Sequence, residues 1–369
     1  MSETRDPEDA GMSKDVLANL GSNVGFPQGI ENVNKNISHF KHLAPGIFEV
    51  RKSLAVGPKP LIIVGGIHGD EKAGIVILDD IIKALCETDM VVRRDLLLIY
   101  GNLESMKAND FTGVRCVETE FGELSNLNRC FGRGQFKNPR NYAERRANEI
   151  MSIVEKFVAE VGVPDVIDIH QSFAVPTLEA VRGNTADRSD YTYAMAYPVT
   201  GVDDSLRWFY EDYSDIVAAV VFNDMSNEHH TFAGYMAQKF GSNASTFEQG
   251  TIGYTDFETF VPQLTKNLLL KISGRAKIEY PEGFDVWRYV RSITKLSDDF
   301  RFVDTVGKRR KAPRDFMPRN EGVIATDGSE IHRLHEGECL LFANDEVPIG
   351  DRAAAVVERF PTNVVPNPK

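Results

Sequence analysis

Short apolar segments alternate with longer amphipathic segments along the middle of the chain, which is typical of strands followed by helices. The continuous apolar runs predict strands over residues 46–54, 61–64, 96–100, 165–169 and 244–247. Apolar residues at helical spacing predict helices over residues 74–88, 140–161 and 262–272. Strands that are apolar throughout indicate a sheet buried on both faces, so we expect an α/β fold in which helices cover the sheet.

The pattern changes after residue 277. Residues 284–295 alternate between apolar and polar side chains, and short strand-like runs separated by glycines follow. This pattern predicts a smaller all-β domain over residues 278–369. Residues 1–45 are mixed and polar, with a short helix predicted only near residues 14–20, and we expect them to form an N-terminal extension packed on the domain of residues 46–277.

Composition and charge restrict the partners of the protein. Its 369 residues include 42 basic and 54 acidic side chains, a net charge of −12 that would repel nucleic acid and anionic lipid. The amino-terminal segment lacks the basic and apolar regions of a secretory signal, and no apolar run is long enough to span a bilayer. We therefore expect a cytoplasmic protein that binds neither nucleic acid nor membrane. The sequence leaves open whether the chain forms a homo-oligomer.

The first candidate for chemistry is a histidine–glutamate pair at the end of an apolar strand. Residues 61–71 run from apolar side chains into a glycine-rich turn that carries His68 and, three residues later, Glu71. Imidazole and carboxylate groups both bind zinc, and a catalytic zinc takes three protein ligands and leaves a position for water. The same spacing recurs at His335 and Glu338, but there it falls between short predicted strands, where a solvated turn is the better interpretation.

His170 is the candidate third ligand. It ends a second short apolar strand, and the carboxyl ends of strands in an open α/β sheet share one edge. A histidine at such a place can instead be a structural group, but together with His68 and Glu71 it favours a metal site. Asp168, two residues earlier on the same strand face, would either orient an imidazole or be an ordinary acid at the sheet edge.

Glu248 is the candidate general base of this site. It follows another predicted strand and precedes Gly250 by two residues. A carboxylate there could accept a proton from a metal-bound water and pass it to a leaving nitrogen. Taken alone, the residue could equally be a surface glutamate before a turn.

Two basic segments could bind an anionic substrate. Asn128 and Arg129 place an amide beside a guanidinium, a combination that can bind a carboxylate through paired hydrogen bonds. Arg115, further upstream, could stabilise the oxyanion that forms when water attacks a carbonyl group. Each arginine could also form an ordinary surface salt bridge.

Four motifs occur in order: GGIHGDE at residues 65–71, LNRCF at 127–131, DIH at 168–170 and FEQG at 247–250. In this order they resemble the succinylglutamate desuccinylase/aspartoacylase family of the zinc carboxypeptidase superfamily. The run at residues 338–350 also resembles the C-terminal β domain of that family, so the similarity covers residues 46 to 360. The resemblance implies a carboxypeptidase-like mixed β-sheet flanked by helices, with a smaller C-terminal all-β domain that narrows access to the site.

The resemblance also implies a role for each candidate residue. The implied roles are those of the zinc ligands His68, Glu71 and His170, the catalytic base Glu248, the carbonyl-polarising Arg115, and the carboxylate-binding Asn128 and Arg129. One Zn²⁺ per chain would be bound. The implied activity is hydrolysis of the amide bond of a small anionic N-acyl amino acid.

Two departures from the family pattern bear on this expectation. The loop between Arg115 and Asn128 is longer than in aspartoacylases, so Arg133 is a second candidate for polarising the carbonyl group. Aspartoacylases carry an arginine shortly before the catalytic glutamate, whereas residues 235–241 of this chain contain none, so N-acetylaspartate is not the expected substrate. Residues 230–237 are more similar to the succinylglutamate desuccinylases.

Two other functions fit the same residues. A zinc carboxypeptidase acting on peptides would use the same chemistry in a more open cleft. A catalytically inactive homologue would keep the metal ligands and bind a small ligand without hydrolysing it. Hydrolysis of N-acyl amino acids in preference to peptides would favour the amidohydrolase over both.

Overall fold

The computed structural model describes residues 39–52, 56–88, 90–108, 114–118, 124–132, 134–172, 192–197, 219–223, 230–251, 260–274, 285–303 and 322–360. Its helices are α1 (Lys72–Glu87), α2 (Leu103–Lys107), α3 (Tyr142–Val161), α4 (Phe232–Phe240) and α5 (Phe260–Ile272), with a short 3-10 turn at Leu127–Arg129. Its strands are β1 (His39–Ala44), β2 (Ile47–Arg51), β3 (Leu61–Gly65), β4 (Leu96–Tyr100), β5 (Val117–Glu118), β6 (Leu124–Ser125), β7 (Asp165–Ser172), β8 (Thr192–Tyr197), β9 (Ala219–Phe222), β10 (Ala244–Thr251), β11 (Asp285–Thr294), β12 (Arg301–Phe302), β13 (Gly322–Asp327), β14 (Glu330–Leu334), β15 (Glu338–Leu341) and β16 (Arg352–Arg359).

Eleven of these strands form one mixed sheet in the order β1-β2-β4-β3-β7-β10-β8-β9-β11-β16-β15. Its centre is parallel from β4 through β3 and β7 to β10, whereas β8 runs antiparallel to β10. Two small sheets, β12-β13-β14 and β5-β6, accompany it. The predicted fold class, a mixed sheet flanked by helices with a C-terminal β region, is confirmed.

Both faces of the central strands are buried. Leu61 and Ile63 of β3 belong to an apolar cluster with α1 and α5, whereas Ile62 and Val64 belong to a second cluster with α3 and α4. All four side chains are fully buried. Helices on both sides explain why this strand is apolar at every position.

The predicted strands differ from the observed ones chiefly at their ends. β4 has its predicted bounds, but β7 and β10 continue beyond residues 169 and 247, where the apolar runs end. Polar residues join these two strands because their parallel ladder continues, with Glu248 of β10 paired with His170 of β7. His170 and Glu248, expected at or just after the ends of their strands, therefore lie within them.

The three predicted helices are all present. The helix predicted from residue 140 begins at Tyr142, because the Asn141 side chain accepts a hydrogen bond from the backbone amide of Glu144 at 2.9 Å and caps the first turn. Among the described helices, none combines the length and the apolarity that crossing a bilayer would require.

The C-terminal strands continue the main sheet. β11 pairs in parallel with β9, from Asp285 beside Ala219 to Arg288 beside Phe222, and β16 and β15 extend the sheet beyond it. A separate apolar cluster packs β12, β13 and β14 against β11 and β16. The predicted boundary after residue 277 thus falls between strands of one sheet, and the division into domains stays a prediction.

The predicted N-terminal extension is described only in part. His39–Ala44 forms β1, an edge strand that pairs antiparallel with β2. Residues 1–38, including the helix predicted at residues 14–20, lie outside the described residues.

Candidate active site

The turn after β3 holds His68 and Glu71 on a fixed backbone. Gly66 has a φ of +68°, which a residue with a side chain adopts only under strain. A Cβ atom on Gly69 would lie 2.3 Å from the carbonyl carbon of Ser105, so the turn can pack against α2 only if this position is glycine. The glycines of the motif therefore set the positions of the two polar side chains.

His68, Glu71 and His170 form a buried cluster at the carboxyl ends of β3 and β7. Their side chains are only 2–3% exposed. The Nδ1 atom of His68 lies 2.7 Å from Oε1 of Glu71, and the Nδ1 atom of His170 lies 2.7 Å from Oε2. One ligand atom from each residue lies within 4.8 Å of the others, which makes the three residues a candidate metal site.

The outer nitrogen of each imidazole faces a side-chain oxygen. Nε2 of His68 lies 3.2 Å from Oδ1 of Asn126, and Nε2 of His170 lies 3.1 Å from Oδ2 of Asp168. The second pair is close but not aligned as a hydrogen bond, and neither Asp168 oxygen has a hydrogen-bond partner among the described residues. Oxygens at these places favour a proton on Nε2 and leave Nδ1 as the electron-pair donor. Asp168 thus has the position expected of a residue that orients the imidazole of His170.

The charges of the cluster suit a bound cation. Burial lowers the pKa of His68 to about 4 and outweighs the opposite effect of Glu71. Burial would raise the pKa of Glu71, but the imidazoles of His68 and His170 outweigh it and hold that pKa well below its usual range. A neutral imidazole and an ionised carboxylate are the protonation states in which His68 and Glu71 bind metal. Burial would lower the pKa of His170, but Asp168 and Glu71 outweigh it and raise that pKa well above its usual value, so a metal would replace a proton on this imidazole.

Glu248 lies beside this cluster. Its position on β10 pairs with that of His170 on β7, and paired positions of parallel strands carry their side chains on the same sheet face. Glu248 is 7% exposed. The predicted general base is therefore a buried carboxyl group next to a candidate metal ligand.

Arg115 contacts the cluster and is partly exposed to solvent. Its Nη1 atom donates a hydrogen bond to Oε1 of Glu71 at 2.7 Å, and its side chain is 36% exposed. Arg133, the second candidate for the same role, lies outside the described residues. The structure thus brings Arg115 within contact of the cluster.

Asn128 and Arg129 lie on the 3-10 turn near the start of α4. Oδ1 of Asn128 accepts a hydrogen bond from the backbone amide of Phe232 at 3.2 Å, which fixes the orientation of its side-chain amide. Nη1 of Arg129 donates a hydrogen bond to the backbone carbonyl of Asn128 at 2.9 Å, and no carboxylate of the described residues forms an ion pair with Arg129. Loss of hydration lowers the pKa of Arg129 to about 10, with added repulsion from Arg352 and Arg115, so its guanidinium stays charged at neutral pH.

The second histidine–glutamate pair forms a turn. His335 is exposed, and its backbone amide donates a hydrogen bond to Oε2 of Glu338 at 2.8 Å. Nη2 of Arg291 donates to the same oxygen at 2.9 Å. His335 thus lies in a solvated turn, as the sequence suggests, whereas Glu338 is buried and its carboxylate is occupied by the turn and by Arg291 of a neighbouring strand.

Sequence reasoning missed two residues around the site. Asn126 contacts His68, and the backbone amide of Gln171 donates to Oε2 of Glu71 at 3.2 Å while its side-chain Oε1 accepts from the first turn of α1. Each of the two residues is adjacent to a motif that carries predicted site residues, which is a signal that could have found them.

Comparisons with known proteins identify a family to which the chain is similar. The model of the succinylglutamate desuccinylase/aspartoacylase catalytic domain matches residues 58–268, more than half of the chain. The succinylglutamate desuccinylase of Photorhabdus laumondii is 27% identical over 354 residues, which cover 92% of this chain and 95% of that protein. The succinylglutamate desuccinylase of Serratia proteamaculans is 26% identical over 368 residues, which cover 95% and 99%.

Solved structures show the same fold. The succinylglutamate desuccinylase structure from Vibrio parahaemolyticus has a TM-score of 0.69 at 24% identity and covers 89% of this chain and 90% of its own. The one from Vibrio cholerae has a TM-score of 0.68 at 23% identity and covers 87% of each chain. Since the family model spans more than half of its residues, the chain belongs to the succinylglutamate desuccinylase/aspartoacylase family.

Proposed function

We propose that this protein is a zinc-dependent amidohydrolase that removes the acyl group of an N-acyl amino acid, with N-succinyl amino acids as the substrate class. The observation that carries the proposal is the buried cluster of His68, Glu71 and His170, whose ligand atoms lie within 4.8 Å of one another, with Glu248 at the paired position of the next strand. The relatives named succinylglutamate desuccinylases support the substrate class.

The three residues of the cluster fit a catalytic zinc. Two imidazole nitrogens and one carboxylate form a common ligand set of hydrolytic zinc sites, and the oxygens of Asn126 and Asp168 lie where they can hold the imidazoles in place. When bound, zinc supplies a Lewis acid and lowers the pKa of a coordinated water to about 7.

Glu248 moves the proton in the proposed reaction. Its carboxylate accepts a proton from the attacking water, whose oxygen bonds to the amide carbon. When the carbon–nitrogen bond breaks, Glu248 returns the proton to the leaving nitrogen, so that a carboxylate and a free amino acid are released. Burial beside His170 keeps bulk water away from this carboxyl group, which is 7% exposed.

The arginines bind and stabilise negative charge. Arg115 stabilises the charge that develops on the carbonyl oxygen, and its contact with Glu71 supports this role. The side-chain amide of Asn128 and the guanidinium of Arg129 bind a carboxylate of the amino-acid part. In a chain with a net charge of −12, this local positive charge attracts an anionic substrate.

The test measures the metal content of the protein and its hydrolytic activity on a panel of substrates. Elemental mass spectrometry on untagged protein should find about one zinc per chain, lost in His68→Ala and retained in His335→Ala, which alters the second histidine–glutamate pair. The panel contains N-succinyl-L-glutamate, N-acetyl-L-aspartate and peptides with a free carboxyl terminus. Hydrolysis of the N-succinyl compound supports the proposal. A preference for peptides supports the carboxypeptidase, and bound zinc without any hydrolysis supports the inactive homologue.

A further inference from the structure

Glu71 occupies the amino-terminal capping position of α1, but its side chain does not cap the helix. Its two carboxylate oxygens face imidazoles instead, Oε1 at 2.7 Å from Nδ1 of His68 and Oε2 at 2.7 Å from Nδ1 of His170. The first turn of α1 also contains no acidic side chain. The side chain that would ordinarily satisfy an amide of this turn is therefore used by the candidate metal site.

Gln171 supplies the missing cap from another strand. Its side-chain Oε1 atom accepts a hydrogen bond from the backbone amide of Ala73 at 3.0 Å. Ala73 is the second residue of α1, and the amide at this position is one that a capping side chain usually binds. Gln171 is 3% exposed and Ala73 is fully buried. Loss of the acceptor would leave a buried amide unsatisfied, which is costly.

The backbone of Gln171 binds the carboxylate of the residue that precedes the helix. Its amide donates a hydrogen bond to Oε2 of Glu71 at 3.2 Å, and this is the oxygen that faces His170. Gln171 thus forms two hydrogen bonds across one junction, one with the Glu71 carboxylate and one with the helix that begins directly after Glu71. Both bonds come from the residue that follows a candidate metal ligand.

The alternation of side chains along β7 explains how one residue can form both bonds. Ile167 and Ile169 pack in the apolar cluster that contains α1, whereas Val166 packs in the cluster on the other face of the sheet. The period of two therefore directs the side chain of Gln171 toward α1 and that of His170 to the opposite face. The side chain of Gln171 reaches the helix while its backbone amide binds the carboxylate.

The start of α1 lies in direct contact with the sheet. A Cβ atom on Gly74 would lie 2.9 Å from the carbonyl oxygen of Ile169 and 2.9 Å from the Cα atom of Gly65, so a larger residue would push the helix away. This contact sets the distance of α1 from β3 and β7. The two hydrogen bonds of Gln171 add the link that holds Glu71 beside the end of β7.

We propose that Gln171 is a positioning residue of the metal site. Its side-chain oxygen caps α1 in place of Glu71, which leaves the Glu71 carboxylate free to act as a ligand and holds it next to His170. Without this cap, the first turn would fray or recruit the Glu71 side chain to its own amides, and either change would move a ligand. The inference rests on the proposed function and deepens it, because it names a residue that couples two of the three metal ligands.

The experiment measures zinc affinity, not turnover. Competition with a chelator of known affinity compares wild-type protein with Gln171→Met, which has a similar size but no acceptor oxygen, and with Gln171→Glu, which keeps the oxygen. Thr231→Val is the matched control. Thr231 caps α4 by accepting a hydrogen bond from the backbone amide of Gly234 at 3.1 Å, and α4 carries none of the three candidate ligands. Urea denaturation of the metal-free proteins measures their stability.

Gln171→Met should weaken zinc affinity about 10–100-fold, and Gln171→Glu should restore it. Thr231→Val should lower the stability of the metal-free protein about as much as Gln171→Met does, because each change removes one helix cap, but it should leave zinc affinity unchanged. Wild-type zinc affinity in Gln171→Met would overturn the inference. An equal loss of affinity in Thr231→Val or in Gln171→Glu would also overturn it. If Gln171→Met does not fold, Gln171→Asn, which withdraws the oxygen by one methylene group, is measured against the same criteria.

The failure of this inference can be told apart from failure of the proposed function. Wild-type hydrolysis of the N-succinyl compound together with unchanged zinc affinity in Gln171→Met leaves the proposed function standing and removes the role of Gln171. A wild-type protein that binds zinc but hydrolyses no N-acyl amino acid ends the proposed function, and a loss of zinc affinity in Gln171→Met still supports the positioning role. A wild-type protein that binds no zinc would overturn both.

Discussion

Glu248 and His170 occupy paired positions on the parallel strands β10 and β7, so a buried carboxyl group lies directly beside a candidate metal ligand. Their exposed fractions are 7% and 3%. Neighbouring strands of one sheet fix this relationship, and no loop movement is needed to create it. A general base held in this way can serve the metal site without being a ligand.

Glu248→Gln should lower kcat about 10²–10⁴-fold while zinc remains bound, because the amide has the shape of the carboxylate but cannot accept the proton. Steady-state kinetics and elemental mass spectrometry on the same preparation measure both quantities. Glu358→Gln, which alters an ion pair on β16, is the control and should keep wild-type kcat. Wild-type turnover in Glu248→Gln would mean that another residue moves the proton.

Asn126→Ala should weaken zinc affinity about 10–100-fold, because His68 loses the oxygen that faces its Nε2 atom. Competition with a chelator of known affinity measures the change. Asn126→Asp keeps an acceptor oxygen and should restore binding. Asn148→Ala, which removes an amide bonded to the backbone of Phe136, serves as the control. Equal zinc affinity in Asn126→Ala and wild type would contradict the orienting role.

Arg115→Ala should lower kcat about 10²–10³-fold with little change in KM, because the guanidinium is expected to act on charge that develops during the reaction. The kcat of Arg115→Lys should lie between those of wild type and Arg115→Ala, since lysine keeps the charge but lacks the planar guanidinium group. Arg145→Ala, at an exposed position of α3, is the control and should keep the wild-type kcat. If kcat does not change in Arg115→Ala, Arg133 becomes the candidate for the role.

The pH dependence of stability can be predicted from Asp79, which lies on α1 and accepts a hydrogen bond from the hydroxyl of Tyr100. Burial raises the pKa of its carboxyl group from 3.8 to about 7. The folded protein therefore keeps a proton that the unfolded protein releases. The resulting stabilisation is complete below pH 3.8 and is lost as the pH rises through about 7.

Asp79→Asn should remove this contribution. Urea denaturation at a series of pH values should show the free energy of unfolding of wild type falling relative to Asp79→Asn between pH 3.8 and 7, by at most about 4 kcal/mol. Asp299→Asn, at an exposed position, should leave the pH dependence of wild type intact. Parallel curves for Asp79→Asn and wild type would contradict the prediction.

The sequence predicted most of the central fold because burial there is nearly uniform. Every residue of Leu96–Tyr100 is buried, and the apolar run ends where the strand ends. For β7 and β10 the apolar runs end early, because pairing with neighbouring strands carries His170 and Glu248 into the sheet. Local composition contains no information on how far such a ladder extends.

The candidate site was predictable to a similar degree. His68, Glu71 and His170 come together because the parallel strands β3 and β7 end at one edge, which a pattern of strands and helices indicates. The ion pair between Arg115 and Glu71 could not be found in this way. It joins side chains that are 44 residues apart in the chain, and a pattern of strands and helices does not predict such a contact.

The parallel pairing of β11 with β9 has a consequence for protein engineering. A chain truncated before residue 285 would leave β9 with a row of unpaired backbone amides and carbonyls at a new sheet edge. Such an edge is a template for pairing with another copy, so the shortened protein should aggregate. Exchanging the C-terminal region between relatives therefore requires that β11 and its partner β9 be transferred as a matched pair.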